Sequence, residues 1–287
     1  MKKPNLFIVG QTRSGTTSLK EYLNGHPDVY IYHAGKGFFG YGKSEIKSEE
    51  EYCNLFKEFQ NKKIIGEKCS DYLHCPISAE KIKNFSPDAK IIIILRNPVD
   101  MMYSLHNWQY NMETVETIAD FEEALKIEEK RKHERTQNPY AYHPHIFYQE
   151  LADYYTQIKR YIDHFGRINV KVIILEEFVK NPEKTYLEVL EFLELDSNYV
   201  PDFDQHNANR IPRNRNLQKF VKNDSFSLLK FLKKIPGTGK LYESINLPEH
   251  ERIILDSSLR KKLLEKLSPN IVKLSKLLEM DFSLWEN

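Results

Sequence analysis

Residues 6–18 read Leu6-Phe7-Ile8-Val9-Gly10-Gln11-Thr12-Arg13-Ser14-Gly15-Thr16-Thr17-Ser18. The stretch opens with four apolar residues and continues with polar residues between two glycines, which is typical of a buried strand followed by a tight turn. A helical pattern over residues 17–23 comes next. In such a unit the backbone N–H groups of the turn and the positive end of the helix point to one place, where they stabilise an anion. The stretch therefore predicts a phosphate-binding loop.

The spacing of Gly10 and Gly15 equals that of the nucleoside-triphosphate signature, but Thr16 stands where that signature has lysine. Without that lysine a triphosphate loses its main side-chain contact, whereas Arg13 can donate two hydrogen bonds to a smaller terminal anion such as a phosphosulfate. The alternative is an ordinary strand–turn–helix corner in which glycine and threonine only cap the helix. The crowding of Ser14, Thr16, Thr17 and Ser18 around Arg13 exceeds what capping needs and favours a binding loop.

Short apolar runs recur along the chain and predict strands buried on both faces of a parallel sheet. They cover residues 6–9, 91–95 and 170–175, with 63–66 as a fourth. Helical patterns separate them, over residues 17–23, 50–59, 78–85, 99–110, 121–133, 148–165 and 183–193. Alternating strands and helices indicate an α/β, P-loop-type three-layer fold with a central parallel sheet flanked by helices.

No linker marks a domain boundary, so we expect a single domain over residues 1–287. Residues 1–215 are predicted to form the α/β core. Residues 216–287 are predicted to form a helical cap, with helices over 225–233, 257–267 and 269–278.

Composition excludes some function classes. Lys and Arg total 42 against 41 Asp and Glu, which argues against bulk binding of nucleic acid or an anionic membrane. The apolar run near the start is too short for a signal peptide or a membrane span, so we expect a cytoplasmic protein. Three cysteines, Cys53, Cys69 and Cys75, lack the spacing of a zinc site and fit a reducing compartment; no metal is expected.

The chain resembles the PAPS-dependent sulfotransferase family, in its carbohydrate branch, which includes the heparan sulfate enzymes and many bacterial members. Six blocks carry the resemblance in order and spacing: VGQTRSGTTSL at 9–19, HPDV at 26–29, GEKCSDYL at 66–73, LRNP at 95–98 with Ser104 after it, VIILEEF at 172–178 and LLEMDFSLW at 277–285. The resemblance implies a nucleotide-kinase-like fold that binds 3'-phosphoadenosine 5'-phosphosulfate (PAPS) at the carboxyl ends of the strands, in agreement with the crevice rule for such sheets.

The resemblance also assigns the cofactor-binding residues. The first phosphate site comprises Arg13, Ser14, Gly15, Thr16, Thr17 and Ser18. Arg96 and Ser104 match the pair that holds the 3'-phosphate. The family closes a basic loop over the nucleotide, and in the matching segment we rank Arg213 first and Arg210 second as its cofactor contacts. A solvated basic loop is the alternative for that last segment, above all for Arg215.

Sulfuryl transfer is an in-line displacement that needs positioned cations and a base, without a metal. Arg13 and Lys68 match the family positions that stabilise the developing charge; for Lys68 a plain surface lysine is the alternative. In the carbohydrate branch a glutamate shortly before a Phe-Phe pair acts as the general base. Here Phe38-Phe39 is present, but Gly35 stands at the position of that glutamate, so another base is needed. We rank Glu67 first, with a structural carboxylate that pairs with Arg13 or Lys68 as an equal alternative. His33 ranks second, and Glu45 and Asp71 are further candidates.

The acceptor is predicted to be a glycan, a glycolipid or another small molecule with a hydroxyl or amine. Residues 113–145 interleave cations with aromatics, which suits such an acceptor, although an exposed helix followed by a loop explains the same composition slightly better. Two alternatives to a sulfotransferase stay open: a P-loop nucleotide or small-molecule kinase, and a PAPS-binding protein that has lost its base. The oligomeric state is not predicted.

Overall fold

The computed structural model describes residues 1–33, 37–40, 46–112, 114–137, 143–203 and 255–286. Its centre is a five-stranded parallel sheet in the order β2-β3-β1-β4-β5. The strands are β1 (Leu6–Gly10), β2 (Val29–His33), β3 (Ile64–Lys68), β4 (Lys90–Leu95) and β5 (Val170–Ile174). The phosphate-loop sequence therefore follows the central strand, at the carboxyl edge of the sheet.

Helices connect the strands along the chain. They are α1 (Thr16–Asn24), α2 (Glu49–Asn54), α3 (Ser78–Phe85), α4 (Pro98–Asn111), α5 (Phe121–Gln137), α6 (Tyr148–Leu151), α7 (Tyr154–Phe165), α8 (Leu175–Lys180), α9 (Pro182–Phe192) and α10 (Ser257–Leu278). Short 3-10 turns cover Lys57–Phe59, Pro144–Ile146, Arg167–Asn169 and Ser283–Trp285.

Alternate residues of each strand point to opposite faces of the sheet, because the side-chain period of a strand is two. Leu6 and Ile8 of β1 pack in a buried cluster with α1 and α9. Phe7, between them, points the other way, and its ring lies 5.7 Å from that of Phe39. On the faces, α1 contacts α9, α3 contacts α7, and α7 contacts β4 and β5. The predicted three-layer α/β fold is confirmed.

Several elements differ from the prediction. Strand β2 was missed, because its Val-Tyr-Ile-Tyr-His alternation lacks a continuous apolar run. The helix expected over residues 148–165 is broken, since Asp153 caps a new helix by accepting a hydrogen bond from the Thr156 N–H at 3.3 Å. The helix expected over residues 50–59 ends at Asn54. Leu175 begins α8 instead of ending β5.

The C-terminal helices also differ in part. The two helices expected over 257–267 and 269–278 form one helix, α10, which continues through Pro269. Proline removes one main-chain hydrogen bond inside a helix without necessarily ending it. The helix predicted over 225–233 lies outside the described residues.

The chain divides into two compact units. The first comprises residues 1–101, 152–206 and 264–287 and contains the sheet; the second comprises 102–151 and 207–263. Within the second unit Arg131 donates two hydrogen bonds of 2.8 Å to buried Glu116, and the Tyr148 hydroxyl donates a third of 2.8 Å. The expectation of a single domain, with a core over 1–215 and a helical cap, stays a prediction. In the part of the chain that the structure describes, no helix is long and apolar enough to cross a membrane.

Candidate active site

The phosphate-loop sequence forms a tight turn between β1 and α1. Gly15 adopts a left-handed conformation with φ of 80°, directly before the first residue of α1. A Cβ atom at this position would lie 2.8 Å from Leu175 Cδ1, so glycine also allows the close approach of α8. Arg13 is left-handed as well, with φ of 60°. Two left-handed residues two positions apart turn the backbone sharply at the start of the helix.

The start of α1 is polar and has no acidic residue in its first turn. Among the described residues no side chain caps it. The Thr16 hydroxyl lies 3.2 Å from that of Ser70, which follows β3, and the Ser14 hydroxyl donates a 3.4 Å hydrogen bond to the Thr12 carbonyl. Thr17 and Ser18 are half-buried in the same turn. Because the helix dipole places positive potential here, the turn suits an anion.

Arg96 follows β4 and contacts the loop directly. Its Nη1 donates a 3.4 Å hydrogen bond to the carbonyl of Arg13. Burial, and then the charge of Arg96, lowers the pKa of Arg13 to about 10, so the Arg13 guanidinium remains protonated at neutral pH. Two neighbouring cations that repel each other are stabilised by an anion between or beside them.

A network of buried hydrogen bonds holds the backbone of Arg96 and of Asn97, which follows it. The Tyr154 hydroxyl donates to the Arg96 carbonyl at 3.1 Å. Next to Arg96, the Asn97 side chain donates to the Trp285 carbonyl at 3.0 Å and accepts from the Val99 N–H at 3.0 Å. Glu176 accepts from the Asn97 N–H at 2.9 Å and from the Trp285 indole at 3.2 Å. The backbone at Arg96 is therefore fixed by three separate segments of the chain.

Lys68 and His33 lie on the same face of the sheet, at the carboxyl ends of β3 and β2. They are paired in the register of the two parallel strands. Lys68 is only 8% exposed, whereas His33 is exposed. Partial desolvation of its ring, followed by the charges of Lys68 and Lys20, lowers the pKa of His33, which favours the neutral imidazole. A neutral imidazole beside an ammonium group can accept a proton.

Glu67 is turned away from Lys68, because adjacent residues of a strand face opposite sides of the sheet. It is fully buried, and its two carboxylate oxygens accept hydrogen bonds from Tyr52 (2.5 Å) and Tyr72 (2.8 Å). Burial raises the pKa of Glu67 to about 7, although the two phenols act in the opposite direction. This geometry favours the alternative of a structural carboxylate over a general base, although its partners are tyrosines and not Arg13 or Lys68.

Other predicted site residues are placed only in part. Ser104 lies in the second turn of α4, in the second compact unit, so its pairing with Arg96 stays a prediction. Gly35, Glu45, Arg210, Arg213 and Arg215 lie outside the described residues.

The cations of the predicted acceptor segment have structural partners. Arg131 is engaged by Glu116, and Lys132 pairs with Glu129 at 2.9 Å. Arg135 pairs with Glu150 at 2.6 Å, and its guanidinium lies 3.9 Å from the Phe147 ring centroid. These contacts favour the alternative of a helix with ordinary ion pairs. Tyr140 and Tyr142 lie outside the described residues.

Sequence analysis missed several supporting residues. Lys20 is close enough to Lys68 to lower its pKa, and Ser70 contacts Thr16 of the loop. Tyr154 binds Arg96 and Trp285 binds its neighbour Asn97, both from distant segments. For Ser70 and Trp285 a signal existed, since both lie in blocks that carry the family resemblance. No local pattern marks Lys20 or Tyr154.

The fold and the loop together define an α/β protein of the phosphate-loop type, with an anion site at the carboxyl edge of its sheet. Residues 3–241 match the family model described as the sulfotransferase domain, and the chain belongs to this family. The family comprises transferases that move a sulfuryl group.

The chain is similar to a solved structure, that of a sulfotransferase from Alicyclobacillus acidocaldarius. The two are 29% identical, the match covers 100% of both chains, and the TM-score is 0.73. Among curated proteins it is 31% identical over 108 residues to the membrane-associated sulfotransferase kil1 of Dictyostelium discoideum, which is 37% of this chain and 23% of that protein. It is 26% identical over 206 residues to bifunctional heparan sulfate N-deacetylase/N-sulfotransferase 1 of Caenorhabditis briggsae, which is 67% of this chain and 23% of that protein. The chain thus spans about a quarter of the length of these curated relatives.

Proposed function

We propose that the chain is an enzyme that transfers a sulfuryl group from PAPS to a hydroxyl or amine of a larger acceptor. The observation that carries the proposal is the contact of Arg96 with the Arg13 carbonyl, which brings a second guanidinium to a phosphate loop without lysine. PAPS bears two separate anionic groups, a phosphosulfate and a 3'-phosphate, and two arginines at one loop fit that pattern.

We assign two groups of residues to PAPS. Ser14, Gly15, Thr16, Thr17 and Ser18 supply backbone N–H groups and hydroxyls for the 5'-phosphosulfate, together with Arg13. Arg96 is assigned to the 3'-phosphate with Ser104, and Arg213 and Arg210 are assigned to the same nucleotide. When bound, PAPS supplies an activated sulfuryl group.

The chain's own residues supply charge and a proton acceptor. Arg13 and Lys68 present positive charge where negative charge develops during the displacement. The acceptor must lose a proton, and His33 is our candidate base, since it is exposed, neutral and on the face of Lys68. Glu67 becomes the weaker candidate, because both of its oxygens already accept hydrogen bonds within the core.

For the acceptor we propose a glycan, a glycolipid or a metabolite. The name of the Caenorhabditis briggsae relative refers to heparan sulfate, which supports a carbohydrate acceptor. We also propose a cytoplasmic location, supported by Cys53, Cys69 and Cys75, which are all free thiols in a chain with no disulfide among them.

A thermal-shift comparison separates this proposal from a kinase. PAP, the desulfonated product, is expected to raise the melting temperature more than ATP with magnesium at equal concentration, because the loop lacks the lysine that a triphosphate needs. Stabilisation by ATP with magnesium and not by PAP would exclude the sulfotransferase. Mass-spectrometric detection of a sulfuryl group on acceptors incubated with PAPS then distinguishes an enzyme from a binding protein.

Lys68→Ala tests the catalytic assignment. Because its ammonium acts on charge that develops in the transition state, the substitution is expected to lower turnover by about a hundredfold or more with little change in PAP affinity. Lys171→Ala is the matched control, since Lys171 is also a strand lysine but pairs with Glu188 at 3.6 Å. Equal turnover in the two variants would remove Lys68 from the mechanism.

A further inference from the structure

A buried cluster of hydroxyls surrounds Glu67 on the face of the sheet opposite Lys68. Tyr52 on α2 donates to one carboxylate oxygen at 2.5 Å, and Tyr72, after β3, donates to the other at 2.8 Å. All three side chains are fully buried. A carboxylate whose two oxygens both accept hydrogen bonds holds its donors in fixed orientations.

The Tyr72 hydroxyl also binds the segment that follows β2. Its oxygen accepts a hydrogen bond from the Phe39 N–H at 3.2 Å, while Ser78 donates to the Phe39 carbonyl at 2.9 Å. Both backbone polar groups of Phe39 are therefore bound by side chains, although residues 37–40 form no helix or strand. A loop that is held in this way has one backbone conformation.

Packing adds to these hydrogen bonds. A Cβ atom on Gly37 would lie 2.3 Å from the Tyr72 ring, so the loop backbone rests directly on that ring. The Phe38 ring stacks on Tyr52 with centroids 5.1 Å apart, and the Phe39 ring lies 5.1 Å from Tyr52 at 80°. Thus Tyr52 contacts the two phenylalanine rings, whereas Tyr72 binds the backbone.

The location of this loop connects it to the site. His33 ends β2 at the carboxyl edge of the sheet, and Phe39 follows six positions later. The acceptor side of a crevice at this edge is built from the segments that leave the strands. A residue that fixes Phe39 therefore acts on residues 37–40, the next described part of the chain after His33.

We infer that Glu67 is a positioning residue, which acts through the Tyr72 hydroxyl to hold the backbone of Phe39 and so sets the acceptor side of the site. The Glu67–Tyr72–Phe39 chain of hydrogen bonds stands on geometry alone; what it does for the acceptor rests on the proposed function. It gives Glu67 a role that needs no contact with the reacting atoms.

Amide hydrogen exchange of the nucleotide-free protein tests the link. Tyr72→Phe removes the hydroxyl that accepts from the Phe39 N–H, so exchange at this amide is expected to become about tenfold faster or more. Tyr52→Phe is the matched control: it also removes one phenol from Glu67, but leaves the acceptor of the Phe39 N–H in place. Equal acceleration in both variants, or none in Tyr72→Phe, would overturn the inference.

Glu67→Gln supplies a second variant if Tyr72→Phe does not fold. Its amide nitrogen cannot accept from a phenol, so exchange at Phe39 is expected to be faster than in Tyr52→Phe, and unchanged exchange would also overturn the inference. In a transfer assay with desulfated, N-deacetylated heparin, Tyr72→Phe is expected to raise the acceptor KM several-fold while PAP affinity stays constant. PAP binding by the unsubstituted protein tests the proposed function separately, because exchange at Phe39 is measured without nucleotide.

Discussion

Arg96 contacts the Arg13 carbonyl, and we propose that it also binds the 3'-phosphate of PAPS. We predict that Arg96→Ala weakens PAP binding by about ten- to a hundredfold, because a charge-assisted hydrogen bond contributes roughly 1.5–3 kcal/mol. Isothermal titration calorimetry measures the change. Arg167→Ala is the control, since Arg167 also donates to a carbonyl, that of Val170 at 2.8 Å, but at the opposite edge of the sheet. Similar PAP affinities in the two variants would contradict the phosphate assignment.

We expect the titration of His33 to produce the acidic limb of the pH–rate profile. Because burial and the charges of Lys68 and Lys20 lower its pKa, kcat/KM should rise with pH through a midpoint below the ordinary value for histidine. Lys20→Met removes one of these cations and should move the midpoint to higher pH. Glu21, which pairs with Lys20 at 2.7 Å, acts in the opposite direction on His33.

Lys63→Met is the control for that profile, since Lys63 forms a comparable ion pair with Asp28 at 2.9 Å. It should leave the midpoint unchanged. A midpoint that is the same in the unsubstituted protein and in Lys20→Met, or that persists in His33→Ala, would exclude His33 as the base.

The different surroundings of Glu67 and Lys68 could not be predicted from the sequence. Glu67 and Lys68 stand side by side in the sequence, and both were candidates for catalysis. The strand places Lys68 with His33 and Glu67 with two tyrosines, because successive side chains alternate across a sheet. The strand predicted over 63–66 stops before Glu67 and Lys68, whereas β3 includes both, so this alternation could not be applied to the two residues in advance.

At the scale of elements, Asn97 joins α4 to the C-terminal segment. Its side chain caps α4 and also donates to the Trp285 carbonyl. We predict that Asn97→Ala lowers the free energy of unfolding by roughly 2–4 kcal/mol, the sum of a lost cap and a buried acceptor left unsatisfied. Denaturant unfolding measures it, and PAP affinity should fall as well, since Asn97 adjoins Arg96.

Asn181→Ala isolates the effect of the cap. Asn181 caps α9 by accepting from the Lys184 N–H at 3.2 Å, and its loss should reduce stability by only about 1 kcal/mol. If both substitutions had the same effect on stability and PAP binding, the link to Trp285 would contribute nothing.

Elements were predictable where one local signal dominated. Continuous apolar runs gave β1, β4 and β5, and the glycine spacing gave the loop before α1. The break at Asp153 was not recognised, because its cap depends on one side-chain hydrogen bond. The continuity of α10 through Pro269 was missed because proline is a strong helix-stop signal in a sequence, although a helix can continue past it with one hydrogen bond fewer.

At the scale of the whole molecule, Glu67 makes stability depend on pH. Its pKa is raised to about 7, so the folded protein keeps a proton that the unfolded chain releases above about pH 4.5. The free energy of unfolding should therefore fall by roughly 3 kcal/mol as pH rises from about 4.5 to about 7, and then level off. Glu67→Gln should remove this slope, as measured by denaturant unfolding across pH.

Glu116→Gln provides a control, because Glu116 changes the free energy of unfolding with pH in the opposite direction. Burial alone would raise the pKa of Glu116, but hydrogen bonds from Arg131, the Ile118 N–H and Tyr148 outweigh it and lower the pKa to about 2. Its contribution is present above about pH 4.5 and is lost as pH falls toward 2, so this variant should alter only the acidic side. An unchanged slope between pH 4.5 and 7 in Glu67→Gln would contradict the assignment.

Across the whole chain, the sequence predicts the order of the six family blocks but not the contacts between them. Arg13, Arg96, Glu176 and Trp285 lie in four separate blocks. The structure shows that Asn97 binds both Glu176 and Trp285, and that Arg96 binds the Arg13 carbonyl. Such contacts join residues far apart in sequence, and no local pattern specifies them.

The bond between Asn97 and Trp285 spans 188 positions of the chain. During synthesis on a ribosome, the phosphate loop and Arg96 emerge long before the segment that fixes them. A nascent chain at that stage carries an incomplete core, with the apolar surface that Trp285 later covers still open to water or to a chaperone. Competence to bind a nucleotide would thus appear late and abruptly, only after the segment around Trp285 has been made.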